Sequence, residues 1–314
     1  MDYRKYPGKY LATAIVLSTI TCAASAQQPG PGMLRPGMRM DFSNVSIKTT
    51  DLGHRTYELE GQGGNITVAV ADDGVIMVDS EFAPLHDKIK AAISAITDKP
   101  IRYLIDTHFH ADHTGGNAAF AADGAVIVAQ ENVRTRLANG TQGMMGNTTP
   151  PASPAALPTK TFADAMNLQL KGREAQLHHV PPAHTDGDCT VYFPDADVLA
   201  TGDLVSFGRY PFIDLVNGGN LKGMITAVDV LLKQTGEGTR VVPGHGPVAG
   251  KAELVAYRAM LQTARERMEK LIAAGKTEEE AVAAKPFADF DAQLGVNEQA
   301  SHNFIISVYR SLKT

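Results

Sequence analysis

The stretch Thr107-His108-Phe109-His110-Ala111-Asp112-His113-Thr114-Gly115-Gly116 decides how this chain is read. Between His108 and His113 it gathers three imidazoles and a carboxylate. Packing alone has little use for such a run, because buried polar groups are costly unless they are paired or bind metal. Divalent ions have a direct use for it. Imidazole suits zinc, and a carboxylate completes the mixed ligand set of hydrolytic sites. His108 and His110 are two apart, so on an extended stretch both side chains point the same way. Asp112 and His113 follow and can face a neighbouring position. The apolar run Ile101 to Ile105 just before predicts a strand, which places the cluster at a rigid strand end.

Three later segments share this character. Pro182-Ala183-His184-Thr185-Asp186-Gly187-Asp188 follows an apolar strand pattern. Ala200-Thr201-Gly202-Asp203 ends another in a carboxylate, and Pro243-Gly244-His245-Gly246-Pro247 ends a third in a histidine. Taken singly, each has an ordinary explanation: a structural histidine, a capping aspartate, a glycine turn. Taken together with the first run they complete a candidate site for two metals. The remaining histidines, His54, His86, His178, His179 and His302, have no such context and are read as exposed or supporting.

The rest of the chain predicts alternating strands and helices. Residues from Thr56, the alternation Ile66, Val68, Val70, and the run Val75 to Val78 after the turn Asp72-Asp73-Gly74 read as strands. Pro84 to Thr97 reads as a helix with Leu85, Ile89, Ala92, Ile93 and Ile96 on one face. Gly115 to Phe120 opens a helix and Ala125 to Ala129 is a strand. Leu168 to Leu170 and Ala175 to Val180 form a hairpin, followed by strands Thr190 to Phe193, Val198 to Ala200 and Arg240 to Val242. Helices are expected at Leu221 to Lys233 and Lys251 to Ala274. This order fits an α/β fold: two mixed sheets packed together with helices outside, in one domain spanning 51–314. Thr141 to Lys160 holds four prolines and two glycines and is expected to be a long structureless insert, read as a lid. Met144 and Met145 within it would give an adaptable apolar wall.

Residues 1–26 read as a secretory signal. Arg4, Lys5 and Lys9 precede the apolar stretch Leu11 to Ile20, and Ala24-Ser25-Ala26 offers a cleavage site. A membrane anchor is the other reading, but the apolar run is short for a bilayer. The expected address is secreted or periplasmic, with no stable membrane anchor after cleavage. Residues 27–50, rich at first in Pro, Gly and Met, are expected to be a flexible mature N-terminus. The chain has 314 residues, a net charge of −5, and two cysteines. Loss of Cys22 with the signal leaves Cys189 unpaired, so stability must come from the core or from bound metal. The absence of basic excess argues against nucleic acid as a partner and leaves a small-molecule substrate.

With its four metal-binding segments in order, His-x-His-x-Asp-His, the lone His, Gly-Asp and Gly-His-Gly, the chain resembles the metallo-β-lactamase-fold superfamily from Ile66 to Pro247. The resemblance implies an αββα sandwich with the metal site at one edge. It implies that His108, His110 and His184 hold one ion, that Asp112, His113 and His245 hold the other, and that Asp203 bridges them. It also implies that Asp79 supports the ligands from behind. Two zinc ions are the expected cofactors, with iron or manganese as alternatives. A metal-bridging hydroxide would attack a small amide or ester carbonyl, of β-lactam or lactone type, with Asp112 orienting it. His113 together with Asp203 is closer to the thioesterase, lactonase and phosphodiesterase branches than to the familiar zinc β-lactamases. Thioester or phosphodiester hydrolysis, a mononuclear iron oxidase of sulfur compounds, and a non-catalytic metal-binding module are the alternatives. The segment Ser206 to Asn220 should rim the site, with Arg209 pairing a substrate carboxylate and Tyr210 or Asn220 donating to an oxyanion.

Overall fold

A computed structural model describes residues 40–143 and 146–313. The signal segment, Cys22, residues 27–39 and the pair Met144-Met145 lie outside the described residues. The first sheet runs in the order β1 (Lys48–Asp51), β2 (Thr56–Glu60), β3 (Ile66–Val70), β4 (Val75–Val78), β5 (Ile101–Asp106), β6 (Val126–Gln130) and β9 (Lys160–Phe162). It is antiparallel as far as β4 and parallel from β4 to β9. The second sheet runs β10 (Ala165–Leu170), β11 (Arg173–His179), β12 (Cys189–Phe193), β13 (Val198–Ala200) and β14 (Arg240–Val242), parallel only between β13 and β14.

Period-two alternation sorts the side chains into layers. Ala69, Ile76, Val78, Ile105 and Val128 face the second sheet, where Leu177, Val191, Phe193 and Val242 meet them. Val68, Met77, Leu104 and Ile127 face outward and are covered by Leu85, Ile89 and Ile93 and by Phe120. Ile89 and Ile93 lie on helix α1 (His86–Ile96), which a 3-10 turn at Ala83–Leu85 introduces, with Pro84 in its first turn. On the far side Leu199 and Val241 are covered by α5 (Leu221–Gln234), α6 (Lys251–Ala273) and α9 (Glu298–Lys313). Each large aliphatic side chain so buried contributes about 1.5–3 kcal/mol. The result is the expected αββα sandwich. Among the described residues no helix is long and apolar enough to cross a membrane.

Three local expectations need correction. The N-terminal tail is ordered from residue 40: Phe42 packs on Phe82 at 5.3 Å between ring centroids, and Lys48 to Thr50 already belong to β1. The ammonium of Lys88 clamps this stretch through the carbonyls of Phe42, Ser43 and Val45. The insert Thr141 to Lys160 is not structureless. It holds a small hairpin of β7 (Thr141–Gln142) and β8 (Thr148–Thr149), a 3-10 turn at Pro154–Ala156, and the start of β9. The helix expected to open at Gly115 starts at Asn117, as α3 (Asn117–Ala122), and a separate short helix, α2 (Ala111–Thr114), precedes it. Gly116 sits against Ser80 between them, where a Cβ would lie 2.7 Å from the Ser80 carbonyl oxygen.

Candidate metal centre

β4, β5, β13 and β14 all release their chains at one edge of the sandwich, where Asp79, His108, Asp203 and His245 follow within a few residues. There His108, His110, His184 and Asp203 each turn one ligand atom into a common space, and Asp112, His113 and His245 do the same beside it. Within each group these atoms lie within 4.8 Å of one another. Asp203 connects the groups: its Oδ1 lies 3.2 Å from His113 Nε2 and 3.5 Å from His245 Nε2, and its Oδ2 lies 3.6 Å from His184 Nε2. Asp112 Oδ2 is 3.2 Å from His245 Nε2. Among the described residues, His108 Nε2, His113 Nε2 and Asp203 Oδ1 are buried with no hydrogen-bond partner. Atoms of this kind are expensive to leave unmatched, and a pair of cations between the two groups would satisfy them.

The supporting hydrogen bonds fix which nitrogen each ring offers. Asp79 accepts from the Thr107 amide at 2.8 Å, the Thr107 hydroxyl at 2.9 Å and His113 Nδ1 at 2.8 Å. Having donated to Asp79, the Thr107 hydroxyl can only accept from His108 Nδ1, 3.1 Å away. The Phe212 carbonyl accepts from His184 Nδ1 at 2.8 Å. These three rings therefore present Nε2. His110 is reversed: its Nε2 lies 3.0 Å from Asp214 Oδ2, and its Nδ1 faces His184 Nε2 at 3.0 Å. Partners of this type orient metal-binding imidazoles and raise their basicity. Asp79 holds its place with φ +63°, an unfavourable backbone for a residue with a Cβ.

Electrostatics follow from burial and these contacts. Burial pushes the His108 and His184 imidazoles toward the neutral form that a metal requires. For His113 burial works the same way, but Asp203, Asp79 and Asp112 outweigh it and raise its pKa well above the ordinary value. Burial opposes ionisation of Asp203, yet His245 and His113 hold it well below the usual carboxylate range. The side chains of His110 and His245 are 17% and 16% exposed, whereas His113 and His184 are fully covered. Access is thus across the His110–His245 face. Phe212 flanks it, 5.9 Å from the His110 ring and 5.8 Å from the His184 ring.

The metal-ligand candidates from the sequence lie together here, and Asp79 lies behind them against His113 and Thr107. The rim candidates fare differently. Tyr210 is not at the site. It is buried, stacked on Phe304 at 4.2 Å, and its hydroxyl donates to Asp291 Oδ1 at 2.6 Å, beneath the C-terminal helices. Asn220 uses its side-chain oxygen to cap α5 through the Gly223 amide. Arg209 is half-buried and makes no hydrogen bond or ion pair among the described residues. His179 Nδ1 donates to the Asp188 carbonyl, away from the ligand groups. Sequence reasoning missed Asp214, although it lies in the quoted rim segment. It also missed Glu81, whose Oε2 accepts the Gln62 and Gly63 amides and pins the loop 61–64 against the site. That loop needs its glycines: a Cβ on Gly64 would lie 2.1 Å from the His113 ring.

The four segments and the fold between them match the family model of the metallo-beta-lactamase superfamily over residues 59–259. The chain belongs to this superfamily. As a member it is 28% identical over 223 residues to a linear primary-alkylsulfatase of a Pseudomonas species, covering 59% of this chain and 42% of that protein. It is 31% identical over 163 residues to the alpha subunit of a 2,4-dinitroanisole O-demethylase of a Nocardioides species, covering 51% of this chain and 43% of that protein. The matches thus span less than half the length of these two relatives. Among solved structures, a metallo-beta-lactamase of Cronobacter sakazakii superposes with a TM-score of 0.59 at 19% identity, covering 73% of this chain and 95% of that one, a likeness of fold. Superfamily membership places the chain in a metallo-hydrolase family, and its clustered His and Asp side chains form a candidate metal site.

Proposed function

We propose that this protein is an exported two-zinc hydrolase that opens a small ester or amide, of lactone or β-lactam type, by attack of water at the carbonyl. The observation that carries this reading is the pair of ligand groups joined through Asp203. His108, His110 and His184 would hold one ion, Asp112, His113 and His245 the other, with Asp203 between. When bound, such ions supply a water of lowered pKa and positive charge for the oxygen that becomes anionic.

The chain's own groups do the rest. Asp79, Asp214 and the Phe212 carbonyl hold four imidazoles in the tautomers that ligation needs. Asp112, 3.2 Å from His245 and almost fully buried, is placed to orient the attacking water by accepting its hydrogen bond. The substrate approaches across the His110–His245 face, and Phe212 walls that face and limits water there. Arg209, with its donors unspent, is available for a carboxylate on the substrate. Export rests on the N-terminal signal pattern, Arg4 to Ala26.

The test is metal analysis together with turnover of nitrocefin, a homoserine lactone, bis-p-nitrophenyl phosphate and p-nitrophenyl sulfate, with and without chelator. Two zincs per chain and chelator-sensitive opening of the lactone or lactam support the reading. Full activity after complete metal removal overturns it, as does a single iron per chain with oxygen uptake. A second reading, hydrolysis of a sulfate ester, is favoured by the similarity to the alkylsulfatase. Preferential turnover of p-nitrophenyl sulfate would select it.

A further inference from the structure

A groove of about 540 Å³ is connected to the candidate metal centre by a chain of hydrogen bonds. Its walls are the end of α4 (Glu131–Asn139), the β7–β8 hairpin, and the 3-10 turn Leu215–Asn217. That volume lies within the usual range for small-molecule sites, about 300–1,000 Å³. Asn217 joins the groove to the centre. Its Nδ2 donates to Asp214 Oδ2 at 2.7 Å, and the same oxygen lies 3.0 Å from His110 Nε2. The groove wall is therefore two hydrogen bonds from one of the two exposed imidazoles of the site. Asn217 Nδ2 also donates to the Gln142 carbonyl at 2.8 Å, which fixes the hairpin to the same residue.

The chemistry of the lining is unusual for a ligand site. Arg136 carries the groove's positive charge, but three of its five N–H donors are already engaged. Its Nε and Nη2 grip Asp186 at 3.2 and 2.5 Å, and its Nη1 donates to Asn217 Oδ1 at 3.1 Å. An anion would have to compete with that bidentate pair. The side chains of Asn139, Thr141, Gln142, Thr148 and Thr149 make no hydrogen bond among the described residues. Apart from Arg136 these uncharged hydroxyls and carboxamides line the groove, with Val216, two prolines and the threonine methyls as its apolar part. An alkyl or aromatic group laid there would strip water from the polar groups without replacing it. A neutral group dense in hydroxyls and amides would match them.

We propose that this groove is a second subsite, which holds the part of the substrate remote from the reacting bond, and that this part is a neutral hydroxyl- and amide-rich group of the N-acetyl sugar type. The assignment to substrate rests on the reading of the His110 cluster as the reacting centre; the binding site itself does not. The probe is N-acetylglucosamine, titrated into isotope-labelled, metal-loaded full-length protein and followed by amide resonances. Saturable shifts are expected at residues 139–142, 148–149 and 217. Asn139→Leu and Thr148→Val, each checked for folding by thermal melting, should each weaken binding about tenfold through a lost hydrogen bond and a stranded partner. Hexyl sulfate should leave those resonances unmoved. Absence of saturable shifts at these residues overturns the proposal, as does a response to hexyl sulfate in place of the sugar. Sugar binding in the groove with no turnover of any substrate in the panel would sink the hydrolase reading and leave the ligand site standing.

Discussion

Asp214 Oδ2 lies 3.0 Å from His110 Nε2, and this contact turns His110 around relative to its neighbours, so that Nδ1 rather than Nε2 faces the ligand group. The carboxylate is buried, and although burial opposes its ionisation, His110 and Asn217 lower its pKa. Asp214→Ala should therefore weaken zinc binding by about 10–100-fold. Asp214→Asn, which keeps an acceptor oxygen, should recover part of the loss. Competition against a chromophoric chelator measures both. Equal affinity in wild type and Asp214→Ala would show that the contact does not position the ring.

Gly244 is the tightest point behind the centre. A Cβ there would meet Asp203 Oδ1 at 1.9 Å and the Gly202 carbonyl carbon at 2.7 Å. Gly244→Ala is expected to displace Asp203, lower bound metal per chain and reduce turnover at least tenfold, at a stability cost of about 1–3 kcal/mol. Metal analysis of the folded variant decides it. Two tightly bound metals would contradict the bridging role given to Asp203.

Glu58 supplies a pH dependence away from the centre. Burial on the inner face of β2, reinforced by Glu60 and opposed by Lys48, raises its pKa to about 7. The folded state then binds a proton that the unfolded chain releases near pH 4.5. Glu58 thus contributes stability that is present below that pH and lost as pH rises to about 7. Discounted for screening at the sheet rim, the loss is about 1–2 kcal/mol. Glu58→Gln should flatten this slope and raise the melting temperature at pH 8. An unchanged slope between pH 5 and 8 would refute the assignment.

Tyr210 tests the division between centre and scaffold. Its hydroxyl ties the segment after Asp203 to Asp291 and to the Phe287 carbonyl. Tyr210→Phe leaves the partly buried Asp291 carboxylate short of its donor and should cost about 1–3 kcal/mol in urea unfolding. Turnover per folded molecule should change by less than about twofold, because the hydroxyl touches nothing in the ligand groups. A large fall in kcat with unchanged stability would return Tyr210 to the site.

Removal of metal should lower the melting temperature as well as abolish turnover. The metal-free centre keeps buried unpartnered atoms on His108, His113 and Asp203, which metal binding to the folded state would satisfy. Calorimetric melting before and after dialysis against chelator checks this. Coincident melting curves for the zinc-loaded and zinc-free protein would argue against a resident metal.

Much of this architecture was legible because its signals are local. Strands Ile66–Val70, Val75–Val78 and Ile101–Asp106 carry continuous or alternating apolar runs, and α1 and α5 carry a helical stripe. The ligand candidates were legible because chemistry restricts residue type at strand ends, so His108, Asp112, His184, Asp203 and His245 stand out as an ordered set, though not one by one. β9 and the β7–β8 hairpin were not legible. They are two or three residues long, carry Thr and polar residues in place of an apolar run, and exist only because a neighbouring strand is there to pair with.

The sequence by itself determined the layer pattern of the sandwich and the identity of the residues able to bind metal, since both depend on spacing and side-chain chemistry along one segment at a time. Tertiary structure alone decided which nitrogen each histidine presents, because that depends on Asp79, the Phe212 carbonyl and Asp214, which arrive from other segments. It also decided that Tyr210 belongs to the core while Asp214 belongs to the centre. These residues are four apart on one loop, and nothing local distinguishes them. The C-terminal helices bury the first, and the fold of the loop back onto His110 places the second.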